Sequence, residues 1–167
     1  MNKGKVVFLI LMGCFSFLTG GEVNTGSKIE PKTTLITEID DNRNFSAWFT
    51  RAQEDLKAAS ILIQHTLYST ALFHCHQAVE KALKAYLTNQ KQYVPKIHSL
   101  EELIELCVQL DLHNKFQNIK EAVLFLDPFC TQFRYPHKTD IEFPTKDLAE
   151  KAYSQAKLII RLVRFAQ

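Results

Sequence analysis

The sequence of 167 residues lacks the motifs that mark the common hydrolases and nucleotide enzymes. There is no glycine-rich phosphate loop, no serine nucleophile elbow and no His-Glu-x-x-His. Enzyme classes that depend on those devices are excluded on motif grounds. A charge excess is also lacking, since 20 basic residues face 18 acidic ones. Lys3 and Lys5, with no acid before Glu22, account for the difference. Sequence-independent nucleic-acid binding by bulk charge is therefore not expected, which leaves open only a local basic patch. The four cysteines, Cys14, Cys75, Cys107 and Cys130, show no C-x-x-C spacing, and the last three sit among apolar residues in helical stretches. They read as buried free thiols, which suits a reducing compartment. No stretch alternates with period two and no long repeat recurs.

An apolar fraction of 46% is ample for one packed domain in a chain of this length. The start reads differently. Residues 1–21 form a leader: Met-Asn-Lys-Gly-Lys, an apolar run from Val6 to Leu18, then Thr19-Gly20-Gly21, the layout of a secretory signal. The run is short for a membrane span. Leu11-Met12-Gly13-Cys14 also resembles a lipoprotein attachment site, and a start codon placed too far upstream is a third reading. These point to export, lipid anchoring or a cytoplasmic product respectively. Residues 22–43 are polar and without sustained period, and read as a flexible linker.

From residue 44 to 167 the apolar spacing predicts helices throughout. Phe45, Trp48, Phe49, Ala52, Leu56, Ala59 and Ile63 mark the first, behind a cap at Asn44 or Ser46. Ser69 is the expected cap of the second, which has two apolar stripes and so belongs at the centre, with Lys81 and Lys84 extending their charged ends past the packing. Ser99 and Glu102 form a capping box before a third helix of about a dozen residues. A fourth runs from about Lys115 to Leu126, where Pro128 bends or restarts it. Pro144 and Thr145 open the last. The expected fold is all-α, an antiparallel up-and-down bundle of four to five helices.

Candidate chemistry is sparse. His74-Cys75-His76 is not expected to hold a metal, because residues two apart on a helix point to nearly opposite sides. One of the two histidines should be satisfied in the core and the other partly exposed. His98 precedes a capping serine and reads as a loop residue. Gln77, Glu80, Lys81 and Lys84 make a polar row on an otherwise apolar helix, which suggests an interior polar site or a dimer seam. Glu80 and Lys84 also fit a plain exposed pair worth a few tenths of a kcal/mol. Arg134 and His137 are the strongest chemical pair. Arginine grips a phosphate with two hydrogen bonds and histidine moves protons near neutral pH, as metal-free RNA cleavage by an attacking 2′-hydroxyl requires. The plainer reading has Arg134 capping a helix or pairing with a carboxylate such as Glu80, and His137 on a loop surface.

Four stretches carry a family resemblance: Trp48 with Arg51-Ala52-x-x-Asp55-Leu56 and Ala59; Ala71-x-Phe73-His74-x-x-Gln77-Ala78-x-Glu80-Lys81-Ala82-Leu83-Lys84-Ala85; His98-Ser99-Leu100; and Arg134-Tyr135-Pro136. In these the domain resembles the HEPN family (higher eukaryotes and prokaryotes nucleotide-binding domain). The resemblance implies a homodimeric bundle, often paired with a small nucleotidyltransferase antitoxin. It also implies, in catalytic members, a metal-independent endoribonuclease with Arg and His separated by four to six residues. Here only Tyr135 and Pro136 lie between Arg134 and His137, so the resemblance favours a non-catalytic module that binds a nucleotide, RNA or partner protein through Gln77, Lys81, Lys84 and Arg134. That reading requires a polar cleft whose side chains are not all taken up in internal ion pairs. The rivals are an RNase toxin using Arg134 and His137, and an exported helical scaffold. No cofactor is expected.

Overall fold

The structure, a computed structural model, describes residues 45–133 and 143–166. The leader, the linker, Cys14 and the segment holding Arg134 and His137 lie outside the described residues. Five helices, and no strand among the described residues, form an antiparallel bundle: α1 (Phe45–Gln64), α2 (Tyr68–Asn89), α3 (Leu100–Leu110), α4 (Lys120–Leu126) and α5 (Lys146–Phe165).

The two apolar stripes of α2 put it at the centre, where α1, α3 and α5 all pack on it. Ala71, Ala78, Ala82 and Ala85 are fully buried, and small side chains there let the neighbouring helices approach closely. Leu72, Val79, Leu83 and Leu87 fill the core with Leu103, Ile104, Val123, Leu126 and Ile159. Cys75 and Cys107 are buried free thiols and Cys130 is half-buried. Burial pushes the Cys75 thiol up to about 12 and raises that of Cys107 as well.

Ser99 caps α3 by accepting from the Glu102 amide at 3.2 Å, and Thr145 caps α5 by accepting from Leu148 at 3.2 Å. Ser69 does not cap α2. That helix starts two residues earlier, with Leu67 at the cap position and no side-chain hydrogen bond, because the chain enters it directly from a turn closing α1. There the Leu67 amide reaches the Leu62 carbonyl and Thr66 takes a positive φ of 59°. Lys91 closes α2 in the same way at φ 56°. All five glycines lie at or before residue 26, so these left-handed positions fall to residues with a Cβ.

The predicted fourth helix is broken into three pieces: a 3-10 turn at Gln117–Ile119, α4, and a second 3-10 turn at Asp127–Cys130 with Pro128 in its first positions. Proline lacks the amide that would continue α4 and is accepted where a new turn begins. Phe125, Phe129 and Phe133 then pack in succession along this segment, with ring centroids 5.4 and 6.1 Å apart.

Candidate functional site

On α2, residues four apart share a face, so His76, Glu80 and Lys84 form one row, with Gln77 and Lys81 beside it. The row lies against the turn that precedes α3 and the end of α4. Glu80 is its hub, with a side chain only 4% exposed. One carboxylate oxygen accepts from the Lys84 ammonium at 2.8 Å and from His98 Nδ1 at 3.1 Å. The other accepts from the Gln77 amide at 3.0 Å. His76 Nε2 stands 3.6 Å from the same oxygen, beyond hydrogen-bond reach, while its Nδ1 donates to the Leu126 carbonyl at 3.3 Å. His76 Nε2 is thus a buried ring nitrogen without a hydrogen-bond partner.

Burial by itself would raise the Glu80 carboxyl. The Lys84 ammonium, through its hydrogen bond and its charge, and the His98 hydrogen bond oppose it, and Glu80 is held at about 2. The Lys84 ammonium also sits 5.5 Å from the Trp48 ring centroid, adding a cation–π contact from α1.

A second carboxylate, Asp55 on α1, binds His74 Nδ1 at 2.8 Å and the Lys81 ammonium. Gln77 joins the two halves, since its amide donates to Glu80 while its carbonyl oxygen accepts from Lys81 at 3.3 Å. A continuous polar chain therefore runs from His98 through Glu80, Gln77, Lys81 and Asp55 to His74. It crosses from the α3 turn over α2 to α1.

Two expectations are corrected here. Glu80 and Lys84 are not an exposed helix pair but a buried one, and the Lys84 ammonium does not extend past the packing but turns back onto Glu80. The reason is tertiary, because Trp48 and the His98 turn cover a face that an isolated α2 would offer to water. The histidine pair divides in burial as expected, with His74 partly exposed on Asp55 and His76 in the core, but His76 is satisfied at Nδ1 and not at Nε2.

The structure brings Gln77, Lys81 and Lys84 together, but each is already committed to an internal partner. A ligand gripping them would have to displace Glu80 or Asp55. His98, read from sequence as a plain loop residue, is the member that was missed. Its side chain is 73% exposed, yet its Nδ1 is fixed on an ionised, buried carboxylate, leaving Nε2 toward solvent. The only sequence signal was His98-Ser99-Leu100 placed just ahead of the capping box. The same turn is pinned from the other side by the Leu100 amide, which donates to Asp127 at 2.6 Å. Glu80, His98 and Asp127 thereby hold the entry to α3 against the 3-10 turn that leads to Phe133. No group of three or more metal-ligating side chains occurs among the described residues.

Comparison with known proteins agrees with this architecture. TT1696 from Thermus thermophilus superposes with a TM-score of 0.65 at 28% identity, covering 75% of this chain and 99% of that one. ST0689, described as an archaeal HEPN homologue, gives 0.59 at 26% identity, covering 73% and 96%. A protein of Methanocaldococcus jannaschii described as "Putative toxin MJ1304" is 25% identical over 124 residues, or 68% of this chain and 82% of that protein. The HEPN domain profile matches residues 45–166, from the first residue of α1 to the end of α5, and the chain belongs to the HEPN domain family.

Proposed function

We propose that this HEPN domain is a non-catalytic, homodimeric module that binds a macromolecule, and that the α2 polar chain is its scaffold and not a pocket for a free nucleotide. The observation that carries the reading is the internal commitment of Lys81 and Lys84, whose ammonium groups neutralise Asp55 and Glu80. Charges already paired in this way add little to the capture of a small anion, because the attraction gained is offset by the carboxylate left behind. A small nucleotidyltransferase is a fitting protein partner, as the resemblance of the domain implies. Titration of the purified full chain with ATP and with single-stranded RNA tests the reading. Saturable binding of ATP, lost in Lys81→Gln, would sink it.

A second reading, a metal-independent RNase toxin acting through Arg134 and His137, draws support from the similarity to the M. jannaschii protein described as a toxin. It expects growth arrest on expression of the wild-type chain, abolished by Arg134→Ala and by His137→Ala. A harmless wild type removes it.

A further inference from the structure

The near-zero net charge conceals an uneven distribution. From Lys151 to Ala166, α5 and its C-cap carry Lys151, Lys157, Arg161 and Arg164 and no acidic residue. Lys157, Arg161 and Arg164 are exposed, and steps of four and three place them on one ridge of the helix, about 10 Å from end to end. None of the three has a carboxylate partner among the described residues. The nearest acid on the same ridge, Glu150, lies two turns earlier and pairs with Lys146 at 3.5 Å. This contrasts with α2, whose lysines are all neutralised at close range.

The ridge is bordered by apolar side chains that the core does not take up. Phe165 is 70% exposed and Leu158 is 55% exposed. Beyond Leu158 a groove of ≈ 380 Å³ opens toward α4, lined by Glu121, Ala122, Phe125 and Gln155, with Glu121 on the α4 side, away from the ridge's own helix. Lys151 stands over the Phe125 ring there, 4.7 Å from its centroid. Unpaired cations in a row with an exposed aromatic beside them are the two ingredients of single-strand recognition: cations that follow the phosphates and a ring on which a base stacks. An acidic protein would use the cations but has no need of Phe165. Two of the three ridge cations are arginines, whose planar fork matches phosphate oxygens.

We propose that the C-terminal half of α5 is a docking ridge for single-stranded nucleic acid, with Lys157, Arg161 and Arg164 on the phosphate backbone and Phe165 stacked on a base. The inference rests on the reading that the domain works by binding a macromolecule, and it names the partner and the surface.

The test is fluorescence anisotropy of the full chain with a labelled uridine oligonucleotide of about a dozen nucleotides, across a salt series. Three phosphate contacts on a single strand give a slope of log K against log salt of about −2. Substituting Lys157, Arg161 and Arg164 together by Gln should flatten that slope and weaken binding at least about tenfold. Phe165→Ala should cost roughly 5- to 100-fold with the slope kept. A control with the same charge loss, Lys91→Gln with Lys96→Gln and Lys115→Gln, should bind as the wild type does. All substituted side chains are exposed, and circular dichroism confirms that the helices persist.

Equal loss in the control would overturn the proposal in favour of bulk electrostatics. RNA binding untouched by the α5 substitutions would overturn it while leaving the macromolecule-binding function standing. If the oligonucleotide fails to bind while polyglutamate or phosphatidylglycerol vesicles do, the ridge serves an acidic protein or a lipid surface and the proposal falls.

Discussion

Glu80 governs the residue scale because it is ionised, buried and shared by three donors. Its carboxyl lies at about 2 in the fold against 4.5 when free. A depressed carboxylate contributes stability that is complete above the free value and is lost as pH falls from about 4.5 toward 2. The difference corresponds to about 3 kcal/mol. Glu80→Gln should therefore destabilise the domain by about that amount at pH 7, since Lys84 is left buried with a neutral partner. The variant should also show a flatter decline in stability between pH 5 and pH 3, as read by urea unfolding at each pH. A wild-type midpoint that does not move over that interval would refute the role given to Glu80. Sequence spacing alone put Glu80 and Lys84 in register. It did not show that Trp48 and His98, 32 residues before and 18 after Glu80, would cover them.

At the scale of the element, caps and helix ends were the most legible features. Ser99 with Glu102 and Thr145 after Pro144 are local patterns, read within four residues, and both are present as hydrogen bonds. Ser99→Ala should cost about 1 kcal/mol, measured by thermal or urea unfolding. The helix-closing turns were not legible, because the usual glycine signal is missing from the whole domain. Thr66 occupies a left-handed position that disfavours a β-branched side chain, so Thr66→Gly should stabilise the domain by about 0.5–1 kcal/mol. An unchanged or lower midpoint would count against that account. Pro128 announced a break in the fourth helix, but not the 3-10 turns on both sides of α4, each of which places one side chain, Ile119 or Phe129, in the core.

For the whole molecule, the balance of charge and the arrangement of charge lead to different conclusions. A count of 20 against 18 argues against bulk attraction to nucleic acid, yet the bundle gathers unpaired cations on α5 and paired ones on α2. The α2 lysines are paired with Asp55 and Glu80 and have little reach, whereas Lys157, Arg161 and Arg164 on α5 have no carboxylate partner among the described residues. A homodimer is part of the proposed function, and native mass spectrometry of the full chain should give twice the protomer mass. A monomer at micromolar concentration would remove the dimer from the proposal.

The sequence by itself determined that the chain is helical, where α3 and α5 begin, that α2 is central and which family the domain resembles. Periodicity, capping and alanine content act over a few residues and need no distant partner to be read. Only the tertiary structure decided that Lys84 turns inward, that His98 completes a carboxylate–imidazole pair, and that Gln77 links Glu80 to Asp55. Those outcomes depend on which helix covers which face. A charge four residues from its partner is an ordinary surface pair until another element removes the water from it, and then the same spacing becomes a buried hub.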